Sequence, residues 1–440
     1  MSNSRKFSLI SLGCPKNRVD SEHILSVMFS AGFTFTEEPS QADVLIVNTC
    51  AFIEPAVEES IETVLDYRDM NAGAILVVVG CLPLRYGDDL KDSLTEADIF
   101  LTPAEISKLP GLLAPPGGPT AVKTDAGLSC TGAAAGRRVL TTQGYAYLKI
   151  SEGCSRNCRY CTIPAIRGPM RSRDLKELER EARDLASRGV RELVLVAQDV
   201  TAYGLDFGGR GALIRLLESL RAIPEVEWIR LMYLHPDGVP ADLAAIINES
   251  RNILPYLDIP FQHVSERVLK SMGRPWKGDR IRRLVDGLRK HIDGLVLRTT
   301  LMVGFPTEGE KEFLDLRDFV QTYSIEHVGV FTYSPEEGTR AMDLGDPVPA
   351  ETKEARAGEL RSIHLQFQEK RNRSRVGSVE TCIVEGISAE SDLLLQGRTW
   401  DQAPEVDGVL YITDGTASMG DIRRIELTDV NGPDLFGKIV

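Results

Sequence analysis

The stretch YLKISEGCSRNCRYC, Tyr147–Cys161, decides the reading of this 440-residue chain. Its first half, YLKISEG (Tyr147–Gly153), is strand-like. Three cysteines follow on one loop, Cys154, Cys158 and Cys161, spaced C-x3-C-x2-C. Such thiolates can wrap one face of an iron–sulfur cube. Each iron of a [4Fe–4S] cluster needs an outside ligand, so three cysteines leave one iron open. Zinc is the competing reading, but structural zinc usually takes four donors, often as paired knuckles. No second pair lies nearby, and His23, His235 and His263 are distant in the sequence.

Toward the C-terminus the pattern repeats. Strand-like runs are ELVLVAQD (Glu192–Asp199), WIRLMYLH (Trp228–His235), YLDIPFQH (Tyr256–His263), VLRTTLMVGF (Val296–Phe305) and HVGVFTYS (His327–Ser334). Helical patterns lie between them, as in Asp174–Gly189 and Asp279–Ile292. Units of roughly 30–40 residues that alternate strand and helix predict a parallel α/β array. Counting the run before the cysteines, there are six, fewer than a closed barrel needs, so a partial (β/α)6 TIM-like barrel is expected.

Toward the N-terminus lies a second alternating segment. Lys6–Gly13, Asp43–Cys50 and Ala74–Cys81 read as buried strands, with helices over Ser21–Phe33 and Glu54–Met70. This predicts an N-terminal parallel α/β domain. Cys14, Cys50 and Cys81 stand at the carboxyl ends of these strands, where sites form in open α/β sheets. Gly13 and Gly80 precede two of them and would let the backbone turn closely around a bulky ligand. The spacing alone leaves three buried free cysteines equally open, a common fate for free thiols.

Residues 110–140 are rich in Pro, Gly and Ala and read as a connection. A charged helical stretch, Glu351–Arg375, leads to short strands with turns between them, which predict a small β-barrel. Domains are expected at 5–120, 140–370 and 372–440, with a linker at 121–139. Cys130, in that linker, and Cys382, on a strand, match no ligand position.

The net charge is −13, which argues against a general nucleic-acid coat and fits a basic partner. Residues 372–440 hold 6 Lys/Arg against 12 Asp/Glu. No apolar run approaches the roughly 18 residues of a membrane helix. The polar start, Met1–Arg5, does not read as a secretory signal, so no membrane and a cytoplasmic location are expected. In a reducing cytosol the eight cysteines favour metal or redox chemistry over disulfides.

EGCSRNCRYC (Glu152–Cys161) resembles the signature of the radical S-adenosylmethionine (SAM) superfamily. SLGCPKNRVDS (Ser11–Ser21), VNTCAFIEPA (Val47–Ala56) and VGCLP (Val79–Pro83) resemble the N-terminal domain of the methylthiotransferases. The last segment resembles their TRAM domain, an OB-like barrel. The resemblance covers nearly the whole chain. It implies two [4Fe–4S] clusters, a radical SAM cluster on Cys154, Cys158 and Cys161 and an auxiliary one on Cys14, Cys50 and Cys81. It also places Tyr160 near the adenine of SAM, and Gln198 and Asp199 near its amino group, although a packing aromatic would also explain Tyr160 and a strand-end cap the last two.

Pro15-Lys16-Asn17 after the first cysteine, and KISEGC…IPAIRGPMRSR around the triplet, resemble the RimO-type branch. The tRNA-modifying MiaB-type branch usually has Gln-Met-Asn at the first position. The resemblance therefore implies methylthio transfer to the β-carbon of an aspartate in small-subunit ribosomal protein twelve. Two SAM, a reductant such as flavodoxin or ferredoxin and a sulfur donor take part, with a tRNA adenosine as the alternative substrate. The arginines near the triplet (156, 159, 167, 171 and 173) could balance thiolate charge or hold a carboxylate bidentately, and Arg167, in a turn fixed by Pro164 and Gly168, is the candidate to hold the substrate carboxylate. A solvated basic face would explain most of the others.

Overall fold

Apolar runs too short for helices make the strands of the N-terminal sheet. They are β1 (Lys6–Ser11), β2 (Thr34–Phe35), β3 (Val44–Thr49), β4 (Ile75–Gly80) and β5 (Ile99–Leu101). All pair in parallel, in the order β2-β1-β3-β4-β5. β3 is buried throughout because both faces of the sheet are covered. Leu45 and Val47 face a core with Val57, Val64 and Tyr67 of α2 (Glu54–Met70). Val44 and Ile46 face the opposite core, with Ile24, Leu25 and Met28 of α1 (Pro15–Ser30). Three short helices complete this region: α3 (Cys81–Tyr86), α4 (Asp88–Ser93) and α5 (Leu109–Leu113).

The structure, a computed structural model, describes residues 4–114, 138–142, 144–274, 276 and 279–440. Cys130 and residues 121–137 of the expected linker lie outside the described residues.

The chain divides into two compact units. The first holds residues 1–141 together with 151–156 and 161–171; the second holds 142–150, 157–160 and 172–440. Two of the triplet cysteines, Cys154 and Cys161, thus fold in the unit of the N-terminal sheet. After β6 (Tyr145–Lys149), the short strands β7 (Ser151–Glu152) and β8 (Arg171–Ser172) pair at the ends of the cysteine-bearing excursion. That excursion contains α6 (Ile163–Arg167), whose Ile166 is buried in the same core as Cys81 and Leu82.

In the second unit β6, β9 (Glu192–Val196), β10 (Trp228–Leu231), β11 (Ile253–Asp258), β12 (Val296–Val303) and β13 (His327–Thr332) form an open sheet of six parallel strands. Sequential strands are neighbours, the order of a partial barrel. The intervening helices are α7 (Leu175–Ser187), α8 (Ala212–Arg221), α9 (Leu243–Glu249), α10 (Glu266–Ser271), α11 (Arg280–His291) and α12 (Glu310–Tyr323). Asp174 caps α7 by accepting from the backbone N–H groups of Lys176 and Glu177.

The long helix α13 (Ala350–Arg375) leads to a closed five-stranded barrel. Its strands are β14 (Val379–Ser388), β15 (Ser391–Thr399), β16 (Leu410–Asp414), β17 (Ile422–Asn431) and β18 (Asp434–Ile439), in the order β14-β15-β16-β18-β17. Cys382 is fully buried in the barrel core. The segment after β15 engages strands of the six-stranded sheet near their amino ends. Asp407 accepts from Tyr256 Oη at 2.7 Å and pairs with Arg298 at 2.8 Å. Glu405 accepts from Tyr145 and Tyr147. Among the described residues, no helix is long and apolar enough to cross a membrane.

Helix α1 begins at Pro15, six residues before the expected Ser21. Proline suits the first helical position, where its missing N–H would have no partner. The apolar pattern fails there because the first two turns bury polar groups: Lys16, Asn17, Asp20, Ser21 and Glu22.

Candidate metal centre

Cys14 stands at the N-cap position of α1 just after β1, Cys50 follows β3, and Cys81 opens α3 directly after β4. Because β1, β3 and β4 are adjacent, the three thiols leave one sheet edge side by side. Gly13 has φ +88°, and a Cβ there would stand 2.8 Å from Cys50 Cβ and 3.0 Å from its Sγ. Gly80 has φ +108°, and a Cβ would meet Asn48 Oδ1 and Thr49 O at 2.6 Å. Both positions exclude any side chain: at Gly13 the space is taken by Cys50, and at Gly80 by the end of β3.

Polar side chains fix the floor. Asn17 Nδ2 donates to Leu12 O at 3.0 Å and Thr49 O at 2.9 Å. Asn48 Nδ2 donates to Asn17 O and to Ser21 Oγ, both at 2.8 Å. Ser60 brackets Cys50, accepting from its N–H and donating to its carbonyl.

Burial pushes the Cys50 thiol up to about 11; Cys81 and Cys14 add to the rise, while a hydrogen bond from Phe52 and the charge of Arg167 oppose it. Burial likewise raises Cys81 above the ordinary thiol range, although Arg167 beside it favours the thiolate. The mutual effects of the three thiols follow from their convergence.

Arg167 supplies the cation. Its Nε and Nη2 donate to Cys81 Sγ at 3.3 and 3.1 Å, and Nη2 also reaches Asn17 Oδ1 at 2.7 Å. Nη1 faces Asp20 at 3.2 Å and Glu152 at 3.3 Å, and the side chain is 3% exposed. Burial alone would discourage the charge, but Glu152, Cys81 and Asp20 outweigh it and hold the guanidinium firmly protonated. A substrate carboxylate would have to displace Asp20 or Glu152 to reach it.

In the second unit, Arg274 donates from Nε to Cys158 Sγ at 3.4 Å and from Nη1 to Pro260 O at 2.7 Å. Its guanidinium lies 6.0 Å from the ring centre of Tyr160. Gly273, at φ +77°, leaves no space for a Cβ beside Asn157 O. Gln198 and Asp199 follow β9 at its carboxyl end. Asp199 is buried and accepts from the hydroxyl of Thr201 in its own turn, as a strand-end cap does.

The other arginines near the triplet divide. Arg159 and Arg171 are exposed, whereas Arg173 is buried between Glu177 and Glu181 at 2.7 and 2.6 Å. Sequence reasoning missed Asn17, Asp20, Asn48, Glu152 and Arg274. The signal for the first two was a mostly polar run, broken by Val19, at the start of a helix that packs against the sheet.

Among the described residues no group of three His, Cys, Asp or Glu gathers as tightly as a single metal ion needs. Three thiols spread over adjacent strand ends, behind glycines that make room, fit the larger body of an iron–sulfur cluster.

Residues 148–320 match the Radical SAM superfamily, residues 6–102 match Uncharacterized protein family UPF0004, and residues 376–440 match the TRAM domain. The ribosomal protein uS12 methylthiotransferase RimO of Aquifex aeolicus is 42% identical over 435 residues, covering 98% of this chain and 97% of its own. The chain belongs to the RimO family of radical SAM methylthiotransferases.

RimO of Trichlorobacter lovleyi is 43% identical, over 99% of this chain and 98% of its own. RimO of Geobacter sulfurreducens is 42% identical over the full length of both. Among solved structures, the radical S-adenosylmethionine methyltransferase TsrM of Kitasatospora setae superposes with a TM-score of 0.55 at 13% identity. That match covers 86% of this chain and 77% of TsrM and speaks to the fold alone. Membership of the radical SAM superfamily implies a [4Fe–4S] cluster and SAM as cofactors of this RimO-family chain.

Proposed function

We propose that this chain transfers a methylthio group to the β-carbon of one aspartate in ribosomal protein uS12, in the cytoplasm. Cys154, Cys158 and Cys161 hold the radical SAM cluster, and Cys14, Cys50 and Cys81 hold an auxiliary [4Fe–4S] cluster. The observation that carries this reading is the folding of Cys154 and Cys161 in the same compact unit as the three N-terminal cysteines. The relatives' names supply the substrate.

When bound, the clusters and SAM supply radical C–H cleavage, sulfur and methyl, chemistry suited to a carbon whose hydrogen is not acidic. The protein's own groups position and screen. Gly13 and Gly80 make room for the auxiliary cluster, Asn17 and Asn48 fix its floor, and Arg274 donates toward Cys158. Tyr160, Gln198 and Asp199 contact SAM. Residues 5–120 carry the auxiliary site, 140–370 the SAM site, and 372–440 dock the basic substrate. A reductant such as flavodoxin or ferredoxin and a separate sulfur donor complete the system.

The test is mass spectrometry of a reaction with reduced, reconstituted enzyme, SAM, sulfide and either uS12 or unmodified tRNA. A methylthio gain on one aspartate of uS12, with none on tRNA, is expected. A gain on tRNA alone would overturn the assignment.

A further inference from the structure

Arg167 stands six residues after Cys161 on α6, yet directs two N–H groups at the sulfur of Cys81. Its remaining contacts are Asn17, three residues after Cys14, then Asp20, and Glu152, two residues before Cys154. One guanidinium therefore touches the sheet edge that bears the N-terminal cysteines and a residue at the entry to the triplet loop.

We propose that Arg167 is a positioning residue that raises the reduction potential of the auxiliary cluster through Cys81, with Asp20 and Glu152 as opposing charges. This rests on the reading of Cys14, Cys50 and Cys81 as cluster ligands. Reduction adds negative charge to cluster and thiolates. A cation that hydrogen-bonds a ligating sulfur stabilises that charge and favours the reduced state. Arg167 and Asp20 are each 3% exposed, so water and salt screen the effect little.

The fork of arginine suits the task. Nε and Nη2 share one sulfur while Nη1 faces two carboxylates. A lysine would bring one point charge and could not span these partners. The carboxylates hold the fork in place and offset part of its charge, so removing one of them should act opposite to removing the arginine.

The experiment is an EPR-monitored redox titration of the full-length protein carrying Cys154→Ala, Cys158→Ala and Cys161→Ala, which leaves only the auxiliary cluster. Arg167→Gln is expected to shift the potential negative, Arg167→Lys to shift it less, and Asp20→Asn to shift it positive. Iron and sulfide contents are measured on each. Equal potentials in all variants at equal iron content would overturn the proposal. So would shifts of the same sign in Arg167→Gln and Asp20→Asn, the mark of a loosened site. If Arg167→Gln does not fold, Arg167→Lys and Asp20→Asn decide the sign between them. A parent that takes up no iron would defeat the ligand assignment itself, and the proposal with it.

Discussion

Arg398 Nη2 lies 2.6 Å from Glu192 Oε2, joining the terminal barrel to the first residue of β9 with neither side chain more than 3% exposed. Glu192 gives its other oxygen to Arg230 Nε at 2.6 Å, and Arg230 stacks over Tyr256 at 4.5 Å. A single carboxylate thus bridges two buried guanidiniums. Its charge is retained because their attraction exceeds the penalty of burial. Glu192→Gln leaves both cations short of a counter-charge. Breaking a buried pair typically costs about 3–5 kcal/mol. Glu385 also pairs with Arg398, so the lower end is expected here. The check is a lowered melting temperature by calorimetry, against an exposed control such as Glu369→Gln; equal melting temperatures would contradict it.

The same junction makes stability depend on pH. His364 on α13 accepts the Val328 N–H at 3.2 Å, and burial, aided by His327 and Arg298 against Asp407, depresses its pKa to about 4. An unfolded imidazole titrates near 6.5. The His364 contribution is therefore full above pH 6.5 and falls as the pH drops toward 4, because the unfolded chain takes up a proton that the folded chain refuses. The loss reaches about 3 kcal/mol at most. Asp401 and Asp407, both held below the usual carboxylate range despite burial, add a further loss at lower pH. Melting temperatures at pH 8, 6.5 and 5 should fall more steeply in the wild type than in His364→Gln. Parallel curves would exclude His364 as the source.

The strands were legible because their apolar runs bury on both faces, and α2 runs from Glu54 to Met70 as its periodicity predicts. β2 and β5 were missed because two- and three-residue edge strands carry almost no pattern. At the site, the cysteines were visible as residue types, whereas Asn17 and Asp20 lay before the expected helix start at Ser21. Their burial comes from the packing of α1 against the sheet, which a local apolar pattern does not register. The acidic barrel is a related case. Glu380, Glu385, Asp401 and Asp407 are committed to internal arginines, so its charge count overstates what it offers a basic partner.

Gly13→Ala isolates the auxiliary site. The substitution meets both a strained φ of +88° and Cys50 Cβ at 2.8 Å. Cys50 or the chain around Gly13 must move, and the thiols lose their common edge. Reconstituted protein should hold about half the wild-type iron, as expected when one of two like clusters is lost. Gly32→Ala is the control, since its φ of +85° is similar but nothing lies within 4 Å. Wild-type iron in Gly13→Ala would show that the close approach to Cys50 is not needed.

Arg274 gives the matching prediction for the triplet. It anchors to Pro260 O at 2.7 Å, at the carboxyl end of β11, and presents Nε to Cys158 Sγ at 3.4 Å. Arg274→Met keeps most of the packing volume but loses both donors and the charge. Hydrogen bonds that orient metal ligands are typically worth roughly 10–100-fold in affinity or activity. Reductive cleavage of SAM should therefore slow by about one to two orders of magnitude. Arg274→Lys should recover part of the rate through charge alone. Deoxyadenosine release under excess dithionite, read by chromatography, measures the rate without the ribosomal substrate. Iron analysis of the same samples separates a slower cluster from a missing one. An unchanged rate in Arg274→Met at full iron content would leave Arg274 a purely structural brace between β11 and the cysteine loop.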